Sequence, residues 1–275
     1  VPETVTALSP ALTERILDKL GLDHSPAPDA AGLQALYRAW CQKVPFDNIR
    51  RRILANDPPS QPLPGTTADD FFTHWLQFGT GGTCWAGHGA LFALLMQLGF
   101  RAQLGVSRML SSRPSPVDSP GHGLLLVTLD DRPLVVDATM LHDHPLPLEV
   151  AEYAHPVWGT QVHQQGDSWL INWKPLGRAR LDCQLLALNI PFADFQARHQ
   201  KSRNTSRFDG ALLIRRAGHE TLTGIVKGEQ VVRAQDGSES FTPLSQSQQH
   251  QLLIEHFGIA EEIVARLPAD VSHNG

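Results

Sequence analysis

Cysteine is scarce in this chain: three in 275 residues, Cys41, Cys84 and Cys183. Scattered thiols without a CxxC pair exclude a disulfide framework and a structural zinc site, so a reducing, cytoplasmic setting is expected. Long apolar runs are missing as well. No stretch approaches the roughly 18 residues that span a bilayer, which argues against a membrane helix. Basic excess is absent too, the formal net charge being −5, so nucleic acid is not an expected partner. The first residues, VPETVTALSPALTERILDKLGL, have neither a basic n-region nor an apolar h-region, and no secretory signal is expected there. The sequence also lacks internal repeats and low-complexity tracts.

What is present is an ordinary globular composition, 41% hydrophobic and 19% charged, with core volume for one large domain or a few small ones. The first hundred residues carry helical periodicity. LTERILDKLGL sets Leu12, Ile16 and Leu20 on one face and stops at Gly21. AAGLQALYRAWCQKV repeats the pattern with Leu33, Leu36, Tyr37, Trp40 and Cys41. A Pro-rich loop (56–67) and the short helix ADDFFTHWLQF follow. An amphipathic helix then starts near Cys84, turns Leu91, Leu94, Leu95 and Leu98 inward, and ends at Gly99.

From Phe100 to Leu188 the period changes to two. HGLLLVTLDDRPLVVDATM predicts a hairpin with strands 123–129 and 134–138 and a turn at 130–132. SWLINWKPLGRARLDCQLLAL supplies more strand, PFADFQARHQKS a connecting helix, and the remainder short strands and a terminal helix. Helices, then strands, then a small mixed unit imply an α+β fold in three parts: 1–99, 100–190 and 191–275.

Cys84 is the residue that asks for chemistry. Gly81–Gly82 lets the backbone turn, Thr83 is placed to cap, and the thiol then stands in the first helical turn. There the free N–H groups and the helix dipole favour thiolate, and they could hold an oxyanion after attack on a carbonyl. The competing reading is burial, which suits Cys41 on an apolar helix face and Cys183 between Leu181 and Leu185. A nucleophilic thiol needs a base and an orienting group. Of thirteen histidines, His122 follows the Pro- and Ser-rich SSRPSPVDSPG and opens a strand. Folding the hairpin brings Asp137 beside His122 or Gly123. A carboxylate after LVV is costly to bury unpaired, and His122 is the economical partner.

These residues resemble the arylamine N-acetyltransferase family. A Gly-Gly-x-Cys helix start, a His opening a strand and an Asp ending the next form that family's triad, which falls here on Cys84, His122 and Asp137 at separations of 38 and 15 residues. LTERILDKLGL, VPFDNI, HQKSRNTSRF and LLIEHFGI resemble four further anchors along nearly the whole chain. The resemblance implies a helical bundle, a central β-barrel and a C-terminal α/β lid. It also implies a cysteine acyl-enzyme and ping-pong transfer from acetyl-CoA, or another acyl thioester, to an arylamine or hydrazine. Phe46, Trp85, Thr139, Met140 and Phe208 adjoin the matched motifs and are candidate pocket residues, each equally placed to be core.

The departures are Thr80 and Ala86, where the family usually has Arg and Glu, and ATML (138–141), where it usually has a glycine-containing Val-Gly-Phe-Gly stretch near the coenzyme A pyrophosphate. An amide synthase using a larger or carrier-bound acyl donor is therefore an alternative. A thiol hydrolase with the same three residues and a non-catalytic scaffold of the same fold are further ones. LHDHP (141–145) has no ligand set around it, so no metal is expected, and RRR (50–52) reads as a solvated run.

Overall fold

The computed structural model describes residues 7–55, 61–110, 120–204, 208 and 210–270. Part of the Pro-rich loop (56–60), of the stretch before His122 (111–119) and of SRNTSRF (205–207) therefore lies outside the described residues. Helix α1 (Pro10–Leu20) begins where the Ser9 hydroxyl accepts from Leu12 N at 3.2 Å, and it ends at Gly21 with φ 77°. Helix α2 (Ala30–Lys43) is capped by Asp29 in the same way and buries Leu33, Leu36, Tyr37, Trp40 and Cys41, as the period predicts. Two residues of strand β1 (Phe46–Asp47) lead to α3 (Ile49–Leu54), then α4 (Ala68–Phe78) and α5 (Cys84–Gln97).

Helix α5 differs from the expected amphipathic one. Every residue from Cys84 to Leu95 is buried, because α4, α6 (Phe192–Lys201) and the strands β2 (Ala102–Met109) and β3 (His122–Leu129) surround it. Leu98, expected to face inward, is only half-buried. The small residues Ala86, Gly87, Gly89, Ala90 and Ala93 admit these neighbours closely. Leu91, Leu94 and Leu95 each contribute roughly 2 kcal/mol of burial.

The central strands continue as β4 (Arg132–Val135), β5 (Leu146–Pro147), β6 (Ala151–Tyr153), β7 (Thr160–Gln165), β8 (Ser168–Trp173) and β9 (Leu181–Leu188). They form one antiparallel sheet in the order β5-β4-β3-β2-β9-β8-β7-β6. The sheet curls enough to gather Leu124, Leu126, Val162, Ile171 and Cys183 into a single core. The expected β-barrel is not closed: among the described residues no ladder joins β5 to β6, and edge strands of two and three residues offer few bonds with which to close it.

The predicted hairpin forms, with a tighter turn. Leu129 pairs with Arg132, leaving Asp130 (φ 47°) and Asp131 (φ 58°) as a two-residue turn of the type whose twist matches its strands. Its second strand stops at Val135 rather than 138, after which Val136 N donates to Leu125 O at 3.0 Å. Continuing that register sets Asp137 across from Leu124, one to two residues from the expected position. Leu124 and His122 share a face of β3, so the carboxylate reaches His122 diagonally.

A second sheet, ordered β1-β10-β11-β12-β13, joins β1 to β10 (Leu213–Ala217), β11 (Leu222–Val226), β12 (Glu229–Arg233) and β13 (Glu239–Pro243). Helices α7 (Gln246–Glu255) and α8 (Glu261–Val264) follow. Beneath this sheet Ile49 and Ile53 of α3 pack with Ile214, Ile225, Leu253 and Phe257. The RRR run is no solvated surface. Arg52 is buried against Asp270 at 2.9 Å and Arg51 against Ser202 O at 2.6 Å, so α3 ties the N-terminal half to the last elements. Among the described residues no helix is long and apolar enough to cross a membrane.

Candidate active site

The turn before Cys84 is built on close approach. Neither Gly81 nor Gly82 has positive φ, so the expected sharp turn is not the reason for them. A Cβ on Gly81 would lie 1.8 Å from Pro45 O, and Phe46 bridges Gly82. The Asp47 carboxylate accepts from Gly81 N at 2.6 Å and from Ile49 N at 2.9 Å. Asp47 thus holds the loop that Thr80 and Ala86, lacking charge, cannot brace. Burial pushes its carboxyl from 3.8 up to about 6, against the pull of those two amides and of Arg50. Thr83 occupies the cap position with extended backbone, yet its side chain makes no capping hydrogen bond.

Cys84 opens α5 nearly sealed from solvent, its Sγ 3.8 Å from the carbonyl of Gly121. His122 follows at once, its Nε2 2.9 Å from Asp137 Oδ2. Burial alone would lower the imidazole. The Asp137 charge and hydrogen bond, with a hydrogen bond to Cys84 added, override it and hold the ring well above the usual histidine range. Asp137 is fully buried. Burial would raise its carboxyl, but the charge of His122, then that of His88, and their hydrogen bonds hold it well below the usual range. Gly123 is needed beside His122 because a Cβ there would meet the Phe195 ring at 2.6 Å and Trp85 at 3.1 Å.

The carboxylate is further clamped from its own loop. Asp137 Oδ1 accepts from Thr139 N at 2.7 Å and from Met140 N at 2.9 Å. Ala138 N donates to His88 Nε2 at 3.2 Å, and Leu141 N to Asp137 O at 3.3 Å. The Tyr37 hydroxyl donates to Asp137 O at 2.8 Å and accepts from Asp137 N and His142 N. Every backbone N–H from 137 to 142 that these bonds name is engaged inside the protein.

A family model described as N-acetyltransferase matches residues 29–172. The chain belongs to the arylamine N-acetyltransferase family. An arylamine N-acetyltransferase of Mycolicibacterium smegmatis is 30% identical over 116 residues, which span 41% of this chain and 40% of that protein. Among solved structures, the M. smegmatis arylamine N-acetyltransferase superposes with a TM-score of 0.79 at 20% identity, over 92% of this chain and 96% of that one. The Mycobacterium marinum enzyme in complex with CoA gives 0.78 at 18%, over 93% and 98%. These two likenesses speak for the arylamine N-acetyltransferase fold.

Of the residues singled out in the sequence, Cys84, His122 and Asp137 meet in one place. Thr139 and Met140 contribute their amides to Asp137, and the Met140 side chain packs on the sheet core. Trp85 turns to α6, edge-on to Phe195 at 4.8 Å. Phe46 and Phe208 meet at 5.6 Å. His88, Tyr37 and Asp47 escaped sequence reading. The signal for His88 was its spacing of one helical turn from Cys84, whose carbonyl lies 2.7 Å from His88 Nδ1. For Tyr37 it was a hydroxyl on an apolar helix face, which needs a partner. His88, His122 and Asp137 present ligand atoms within 4.8 Å of one another. Their lone pairs already serve Ala138 N, Thr139 N, Met140 N and the His122–Asp137 pair, so the group is satisfied as a hydrogen-bond network. In LHDHP, His142 is buried and pulled down to about 4 by that burial, and Asp143 pairs with Arg38 at 3.2 Å.

Proposed function

We propose that the chain is an acyltransferase working through an acyl-cysteine, with acetyl-CoA as donor and an arylamine or hydrazine as acceptor. The observation that carries this is the 2.9 Å His122–Asp137 contact beside a thiol at a helix start. His122 holds the proton of Cys84, leaving a thiolate that attacks the thioester carbonyl. The first-turn N–H groups of α5 face the resulting oxyanion. Collapse expels the coenzyme A sulfur, which takes the proton from His122. The amine then attacks the acyl-cysteine and His122 accepts its proton, regenerating the imidazolium–thiolate pair, while Asp137 fixes the ring throughout. On this reading residues 1–99 supply the nucleophile, 100–190 the base and carboxylate, and 191–275 a cover joined through β1 and β10.

Family membership and the CoA-bound neighbour support the donor. A second reading rests on the engaged amides: with 138 to 142 bonded internally, the backbone there has no N–H to spare for a pyrophosphate. A larger or carrier-bound acyl donor, gripped elsewhere, fits that observation. The test is intact mass after incubation with acetyl-CoA, an acyl-carrier thioester and p-nitrophenyl acetate, with and without an arylamine. One acyl group on Cys84 that leaves when amine is added is expected. Loss to water alone makes the protein a thiol hydrolase, and an unlabelled Cys84 with every donor overturns the mechanism. Cys84→Ser is expected to fold and to stay unlabelled.

A further inference from the structure

Among the described residues, the buried arginines are paired, with one exception. Arg52 meets Asp270 and two carbonyls. Arg233 meets Glu239 and the carbonyls of Val157, Lys174 and Pro175. Arg215 on β10 is 7% exposed, yet among the described residues none accepts a hydrogen bond from its guanidinium, and its Nε is sealed without a partner. The ring of Phe46 lies 4.5 Å from its Cζ. Burial pulls its pKa down to about 10, opposed by the Asp137 carboxylate; Arg178 and Arg233 add to the fall and Cys84 resists it.

The position matters as much as the missing partner. Arg215 is the strand partner of Phe46, and Phe46 bridges Gly82, two residues before Cys84. Two strand spacings put the Arg215 backbone roughly 10 Å from Gly82, and an arginine side chain covers much of that span. A guanidinium presents five donors in a planar fork that matches a carboxylate bidentately. Leaving it unpaired in the interior costs stability, so an anion that completes the site gains what the empty site forgoes. Phe46, with Phe208 edge-on to it, supplies an aromatic wall beside the fork.

We propose that Arg215 receives a carboxylate on the substrate, seated against Phe46 beside Cys84, so that the protein selects anionic over neutral substrates. This rests on the acyltransferase reading for its meaning in turnover, while the binding itself does not. The carboxylate can belong to the acceptor amine or to the acyl chain of the donor, and kinetics separates them.

The probe is benzoate, which has no amine and is not turned over. Calorimetric titration should show binding to the unmodified protein, at least tenfold weaker binding to Arg215→Met, and intermediate binding to Arg215→Lys, which keeps the charge without the fork. Arg215→Met should also melt at the same or a higher temperature without ligand, since it removes an unpaired buried charge. Next, kcat/KM is compared for 4-aminobenzoate against its methyl ester, and for succinyl-CoA against acetyl-CoA. A tenfold fall of one carboxylate-to-neutral ratio in Arg215→Met assigns the carboxylate to that substrate. Benzoate binding that is absent, or equal in all three proteins, overturns the proposal. So do four rates falling together with both ratios intact, or a lowered melting point, which would make Arg215 a structural prop. Arg215-dependent benzoate binding in a protein that acylates with no donor would overturn the acyltransferase reading and leave the anion site standing.

Discussion

Replacing Tyr37 by Phe removes a single oxygen from the interior and tests how the Asp137 loop is held. Tyr37 is 1% exposed, and burial, with the nearby Asp137 charge adding to it, holds its phenol well above the usual range, so it stays a neutral donor. The substitution strips the acceptor from Asp137 N (3.1 Å) and His142 N (3.3 Å). Asp137 O loses its 2.8 Å donor but keeps Leu141 N at 3.3 Å. A buried donor left unpaired costs about 1–3 kcal/mol. With full weight on Asp137 N and less on the longer His142 contact, the total is about 2–4 kcal/mol. At this chain length that lowers the melting temperature by roughly 4–8 °C. The same loss frees the backbone beneath the carboxylate proposed to orient His122, and a displacement of about 1 Å there costs on the order of 10²-fold in rate. Calorimetry and single-turnover acylation of Cys84 read the two effects. A melting shift below about 2 °C with unchanged acylation would refute the claim that this hydroxyl holds the loop.

Two further outcomes follow from the same network. Asp47 carries a folded pKa of about 6 against 3.8 ordinarily, so the folded state binds the extra proton and stability falls as pH rises from 4 through 6. The loss from this group is about 3 kcal/mol by neutral pH. Asp47→Asn should remove that slope in urea titrations at pH 4.5 and 7, and parallel curves for the two proteins would count against it. His88→Ala leaves Ala138 N unpaired and loosens the loop that presents the Asp137 carboxylate, which weakens the hold on the His122 imidazolium. Alkylation of Cys84 by iodoacetamide should then need a higher pH, with His88→Gln closer to the parent; identical pH profiles in all three proteins would make His88 mere filling.

Local periodicity determined much of this molecule. The faces of α1 and α2, the cap at Gly21, the hairpin and the placement of Cys84 in a first helical turn all follow from side chains within a few residues of one another. The three residues at the centre were legible because a thiol, an imidazole and a carboxylate each stand where an element begins or just after one ends. Tertiary structure decided the rest. Helix α5 is buried on every side because of what packs against it, which its own pattern does not encode. The sheet stays open because its edge strands are short. Asp137 reaches His122 only after β4 has stopped, held by Tyr37 of α2 and His88 of α5, and these contacts join residues 50 to 100 positions apart. Arg215 meets Phe46 across 169 residues of chain. A charge run such as RRR reads the same in a sequence whether it faces water or anchors the last elements. Which of these holds depends on partners such as Asp270 and Ser202, which only folding brings near.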